Sequence, residues 1–116
     1  MRVINRTAVT VTGAKPFIDW TLETGSDANK GGVTVPRVKA YGAAFLLPEF
    51  DLEEDVQEWV EDNAAALFEF QLEAWTADES TWPATRDLKT FRAWFNIDVH
   101  SIVVDVADDD IEGEEL

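Results

Sequence analysis

From Asp51 to Trp75 the apolar residues recur at the spacing of an α-helix. At about 100° per residue Leu52, Val56, Trp59, Val60, Leu67, Phe70 and Ala74 share one face, and Ala64, Phe68 and Trp75 widen it. Asp51-Leu52-Glu53-Glu54 resembles a capping box, so the pattern predicts a helix from about Leu52 to Trp75. The opposite face carries Glu54, Asp55, Glu58, Glu61, Asp62, Glu69 and Glu73. No Lys or Arg lies between Asp51 and Thr85, so these carboxylates lack the oppositely charged neighbours three or four residues away that usually lace an exposed helix. An amphipathic helix of this length gains most of its stability from tertiary packing, so the rest of the chain must supply a surface for its apolar face.

The remaining segments can build that surface. Thr7 to Thr12 alternate and are rich in β-branched residues up to Gly13, which predicts a first strand. Pro16, followed by Phe17, Trp20 and Leu22, predicts a short helix with proline in its first turn. Gly25 to Gly32 reads as a loop, Val33 to Ala40 is ambiguous between extended chain and a helical turn, and Tyr41 to Leu47 reads as a buried strand ending at Pro48. After a turn-rich connector, Asp78 to Pro83, Thr85 is placed to cap a third helix containing Leu88, Phe91, Trp94 and Phe95. Ile97 to Val106 alternates as a last strand, apolar enough on both faces to be central. Eight of the thirteen aromatic residues lie between Trp59 and Phe95, so the helical layer is expected to supply most of the core. The order predicts one α+β domain over residues 1–106: a small mixed or antiparallel sheet of three to four strands with helices packed on one face. Residues 107–116 are expected to form an acidic, disordered tail.

Composition narrows the function. The 116 residues hold 24 Asp plus Glu against 9 Lys plus Arg, a formal charge of −15. Such an anion is a poor direct ligand for nucleic acid or for an anionic membrane surface. With 46% hydrophobic residues the chain can fold, and its lack of cysteine excludes disulfides, thiolate metal sites and Cys nucleophiles. No secretory signal and no apolar run of about 20 residues is evident, so a cytoplasmic protein is expected. The charge is also segregated. Residues 1–48 hold three acids and six bases, a balance of +3, whereas residues 49–116 hold 21 acids and three bases, a balance of −18. A shell of acids with only four lysines suits a cytoplasm of high salt, where self-repulsion is screened. A located field of carboxylates instead suits a basic partner protein, whether or not that partner normally binds nucleic acid. Spread over roughly 29 Å, the seven acids of the long helix give about one charge every 4 to 5 Å, against about one per 1.7 Å in duplex DNA.

Several polar residues are candidates for binding. Glu49, Asp78, Glu79, Trp82, Arg86 and His100 could line a pocket in which an arginine holds an anion and an indole stacks. Alternatively, Arg86 pairs with Asp78 or Glu79 to fix the link between two helices. His100 shares a strand face with Asp98 but not with Ser101, so it could pair with a carboxylate in a small hydrolase-like enzyme but cannot form a His–Ser pair within its strand. No spacing specifies a metal site, and no glycine-rich nucleotide fingerprint occurs, so neither a metal nor a cofactor is expected.

Asn5-Arg6, Pro16-Phe17-x-x-Trp20, Leu47-Pro48-Glu49, Glu73-Ala74-Trp75, Asp78-Glu79-Ser80-x-Trp82-Pro83, Arg86, Phe91-x-x-Trp94-Phe95 and His100-Ser101 together run through nearly the whole chain. This string resembles a family of small acidic bacterial proteins of unknown function, with Asp-Glu-Ser-x-Trp-Pro its most distinctive part. The resemblance implies a bacterial, cytosolic, single-domain protein and carries no catalytic residue or cofactor with it. The function expected from the whole reading is a non-enzymatic binding or interaction protein with an acidic surface. A nucleic-acid mimic that occupies a basic DNA- or RNA-binding protein, and a small enzyme using His100 and carboxylates, are the alternatives.

Overall fold

The computed structural model describes residues 1–24 and 42–116. Among them the chain runs β1 (Arg2–Ile4), β2 (Arg6–Gly13), α1 (Lys15–Thr24), β3 (Ala43–Pro48), α2 (Glu53–Trp75), a 3₁₀ turn (Glu79–Thr81), α3 (Leu88–Trp94), β4 (Phe95–His100) and β5 (Val103–Asp105). The fold is α+β, with two antiparallel sheets: β3-β2-β4 and the ribbon β1-β5. The loop expected over Gly25 to Gly32, the ambiguous segment Val33 to Ala40 and Tyr41 lie outside the described residues.

β2 is central because its alternation serves both faces. Val9 stands between Phe45 and Val99, and Val11 between Ala43 and Ile97, on the side that meets the helices. Ala8 stands between Leu46 and His100, and Thr10 between Ala44 and Asp98, on the opposite side. The two sheets are one interrupted ladder. Between the pairs Ile4–Val103 and Ala8–His100, the first strand spends three residues, Asn5, Arg6 and Thr7, and the second spends two, Ser101 and Ile102. That single extra residue is a β-bulge type of offset, which breaks pairing and re-aims side chains. It splits the expected strand Ile97 to Val106 into β4 and β5, and it lets residues 2–4 pair where no N-terminal strand was anticipated.

The core lies between the sheet and the three helices. Val56, Val60, Ala64, Leu67, Phe68 and Leu72 of α2 are buried. Leu52, Phe70 and Ala74, expected on that face, are exposed, and Phe70 instead lays its ring edge-on to Phe45 at 5.5 Å. Gln71 is in the middle of the buried stripe, and its Nε2 has no hydrogen-bond partner. An aromatic cluster joins all layers: Phe17–Phe95 at 4.9 Å, Phe68–Phe95 at 5.3 Å, Phe91–Phe95 at 5.3 Å and Phe68–Trp94 at 5.4 Å between centroids. Such tilted and edge-on contacts add to the burial of large apolar area.

Both predicted caps shift. Leu52 rather than Asp51 is the N-cap residue of α2, and it offers no side-chain oxygen. Asp87 rather than Thr85 caps α3, accepting from the Thr90 backbone N–H at 2.8 Å. Hydrogen bonds from the Thr90 side chain and backbone hold the Asp87 carboxyl below its ordinary value of 3.8. Residues 107–116 are exposed and carry no regular secondary structure.

Candidate functional site

The acidic face of α2 is presented to solvent as its periodicity requires. Glu54, Asp55, Glu58, Glu61, Asp62, Glu69 and Glu73 are all exposed. Two of them have a cation: Arg92 Nη2 lies 3.3 Å from Glu61, and Arg86 Nε lies 3.5 Å from Glu69. Among the described residues, the other five form no salt bridge. The density is uneven. Glu53, Glu54, Asp55, Glu58, Glu61 and Asp62 crowd the first half of the helix, roughly one charge per 2 to 3 Å of axis. Three of these sit in the first turn, where the helix dipole favours anions. Leu52, Gln57 and five of the acids, Glu53, Glu54, Glu58, Glu61 and Asp62, line an open, shallow recess of about 780 Å³. The sheet's solvent face is different. Ala8, Thr10, Thr12, Ala44, Leu46, Asn96 and His100 accompany a single carboxylate there, Asp98.

The connector is a structural clasp. Asp78 accepts from the Ser80 backbone N–H at 3.1 Å and from its hydroxyl at 2.6 Å, which closes the 3₁₀ turn. The indole of Trp20 donates to the Thr81 carbonyl at 2.9 Å, and that of Trp82 donates to the Thr76 carbonyl at 3.1 Å. Arg86 does not pair with Asp78 or Glu79. Its guanidinium donates to the Pro83 carbonyl at 2.7 Å, stacks 5.9 Å from the Trp82 ring centroid and reaches Glu69 on α2. Geometry explains the difference: Asp78 is committed to its own turn, whereas Glu69 faces the returning chain. Nothing in residue spacing announced Glu69 as this partner, because the contact crosses two elements.

The binding candidates do not converge. His100 is exposed on the sheet's solvent face, its Nε2 3.2 Å from the Thr10 hydroxyl. Arg86 and Trp82 pack on the helical side, and Glu49 is exposed at the turn between β3 and α2. Asp98 shares the face of His100, but no hydrogen bond joins them. Among the described residues, no group of three or more His, Asp or Glu could hold a metal ion, and no helix is long and apolar enough to cross a membrane. Compared with protein-family models, with curated proteins and with solved structures, the chain matches none.

Proposed function

We propose that this is a non-enzymatic binding protein whose α2 carboxylates dock a basic partner protein, in a cytoplasmic setting. One observation carries the reading: among the described residues the acids are polarised, dense and largely unpaired along the first half of α2, while Asp98 is the single carboxylate of the sheet's solvent face. Acidity that served salt tolerance alone would have no reason to spare one face. A fixed row of carboxylates on a rigid helix steers a cationic partner and costs little reorganisation on binding. The separation of His100 from Arg86 favours this reading over the enzyme alternative.

The local density favours a second, narrower form of the same idea. One charge per 2 to 3 Å approaches the roughly 1.7 Å spacing of duplex DNA, so the basic partner is a nucleic-acid-binding protein and α2 stands in for its ligand. Binding of an oligolysine peptide to the wild type and to a variant carrying Glu54→Gln, Asp55→Asn, Glu58→Gln and Asp62→Asn tests the first form. The variant is expected to lose most of the affinity and of its salt dependence, and an unchanged affinity would contradict the reading. Displacement of duplex DNA from a basic DNA-binding domain by the wild type, and not by the variant, separates the mimic from a general acidic dock.

A further inference from the structure

The sheet has an open side along β4 and β5. β4 pairs only with β2 and β5 only with β1, so among the described residues no strand lies beyond them. No other described strand takes up their outward N–H and C=O groups, which are the kind that pair with an added strand. Where this edge reaches the ribbon, its apolar side chains are uncovered: Ile102 is 72% exposed, Val104 41% and Val106 69%, and Val3, directly opposite Val104, is 71% exposed. Single exposed apolar residues are ordinary, but four on and immediately beside one short ribbon form a patch of the kind that marks an interaction site. Charge decides what covers it. Asp108, Asp109 and Asp110 follow immediately, and Asp98 is exposed on β4. A second copy would bring its own acidic tail and 15 net negative charges to the same edge, which like-charge repulsion opposes.

We propose that the β4–β5 edge receives an extended segment of a partner protein, in which apolar residues alternate with Lys or Arg. The segment adds as a further strand, its apolar side chains resting on Ile102, Val104 and Val106, and its cations meeting Asp98 and Asp108 to Asp110. The bulge fits this use, because its extra residue in the first strand brings Val3 to the side on which Val104 is exposed. These observations are independent of the α2 face.

The test is a titration with an alternating Val–Lys peptide of about eight residues, ordinary strand length, followed by amide hydrogen exchange. Exchange is expected to slow over residues 96–105, in the wild type and in the α2 variant above alike. The variant I102T/V104T/V106T keeps β-branched residues at exposed positions, and unchanged tryptophan emission checks its fold. At residues 96–105 the triple variant should bind the peptide roughly tenfold more weakly or worse. Replacing the peptide's lysines by glutamates should abolish binding, and the α2 variant above should retain it. The proposal is overturned if residues 96–105 of the triple variant are protected as the wild type's are, if the α2 variant shows no protection there, or if the glutamate peptide protects them equally. Protection of the same amides by concentration-dependent self-association, seen by sedimentation, would overturn it in favour of a second copy.

Discussion

Gly13 shows how tightly single residues are constrained at the layer junction. A Cβ there would lie 2.6 Å from Cδ1 of Phe17, whose ring is already held against Trp20 and Phe95. Gly13→Ala is therefore expected to destabilise the protein by about 1–3 kcal/mol through overpacking, read from the denaturant midpoint. Asp87 gives a pH signature. Its carboxyl is lowered from 3.8 by its bonds to Thr90, so its contribution is complete above that value and is lost as pH falls through the lowered native one. Asp87→Asn keeps a capping oxygen without the titration. Its thermal midpoint should fall less steeply than the wild type's as the pH is lowered through the acid range, and parallel curves would contradict the assignment. At this scale the sequence was a partial guide. It placed the cap of α3 at Thr85 rather than Asp87, because only the turn of the backbone decides which oxygen faces the free N–H groups. Likewise, Arg86 was legible as a clasp residue but its partner was not, since Glu69 meets it only once α2 and the connector fold back.

Among the elements, α2 was the most legible, because a 3.6-residue apolar period is a strong signal over 23 residues. Its buried face was read slightly off centre. Gln71 puts a polar residue inside the buried stripe, while Phe70 and Leu52 put apolar ones outside it, so the pattern pointed between the true face and its flank. The alternation of Ile97 to Val106 was correct locally, but the segment lies at the sheet edge rather than in its centre, and the pattern was blind to the bulge, which depends on how residues 5–7 pair with a strand about ninety positions away. Charge on α2 yields a prediction of its own. Glu58 has Glu54, Asp55, Glu61 and Asp62 three or four residues away, all of like charge. Removing it by Glu58→Gln is expected to stabilise the protein by about 1 kcal/mol at low salt, from four like-charge neighbours, and by almost nothing at about 1 M salt. Denaturation curves at the two salt concentrations check this. An equal effect in both would mean that repulsion along the helix is not the cause.

For the molecule as a whole, the charge imbalance becomes a division of surfaces. Among the described residues most carboxylates lie on the helices, their connector and the tail, and the solvent face of the three-stranded sheet holds a single one, Asp98. Sequence could locate the acids along the chain and on one helix face, but not the sparing of the opposite layer, which follows from the pairing of β2 with β3 and β4. The tail and α2 are both acid-rich, yet they differ physically. Carboxylates on a packed helix are already ordered, whereas a segment without regular structure must lose conformational freedom to hold a partner. The most direct test is an amide-resolved NMR titration of the full chain with oligolysine at about 0.15 M salt, where unfocused surface attraction is largely screened. If α2 is the docking face, amides of residues 53–62 respond first and saturate at lower peptide concentration than those of residues 108–115. Saturation of the tail first, or a uniform response over all acidic segments, would contradict it.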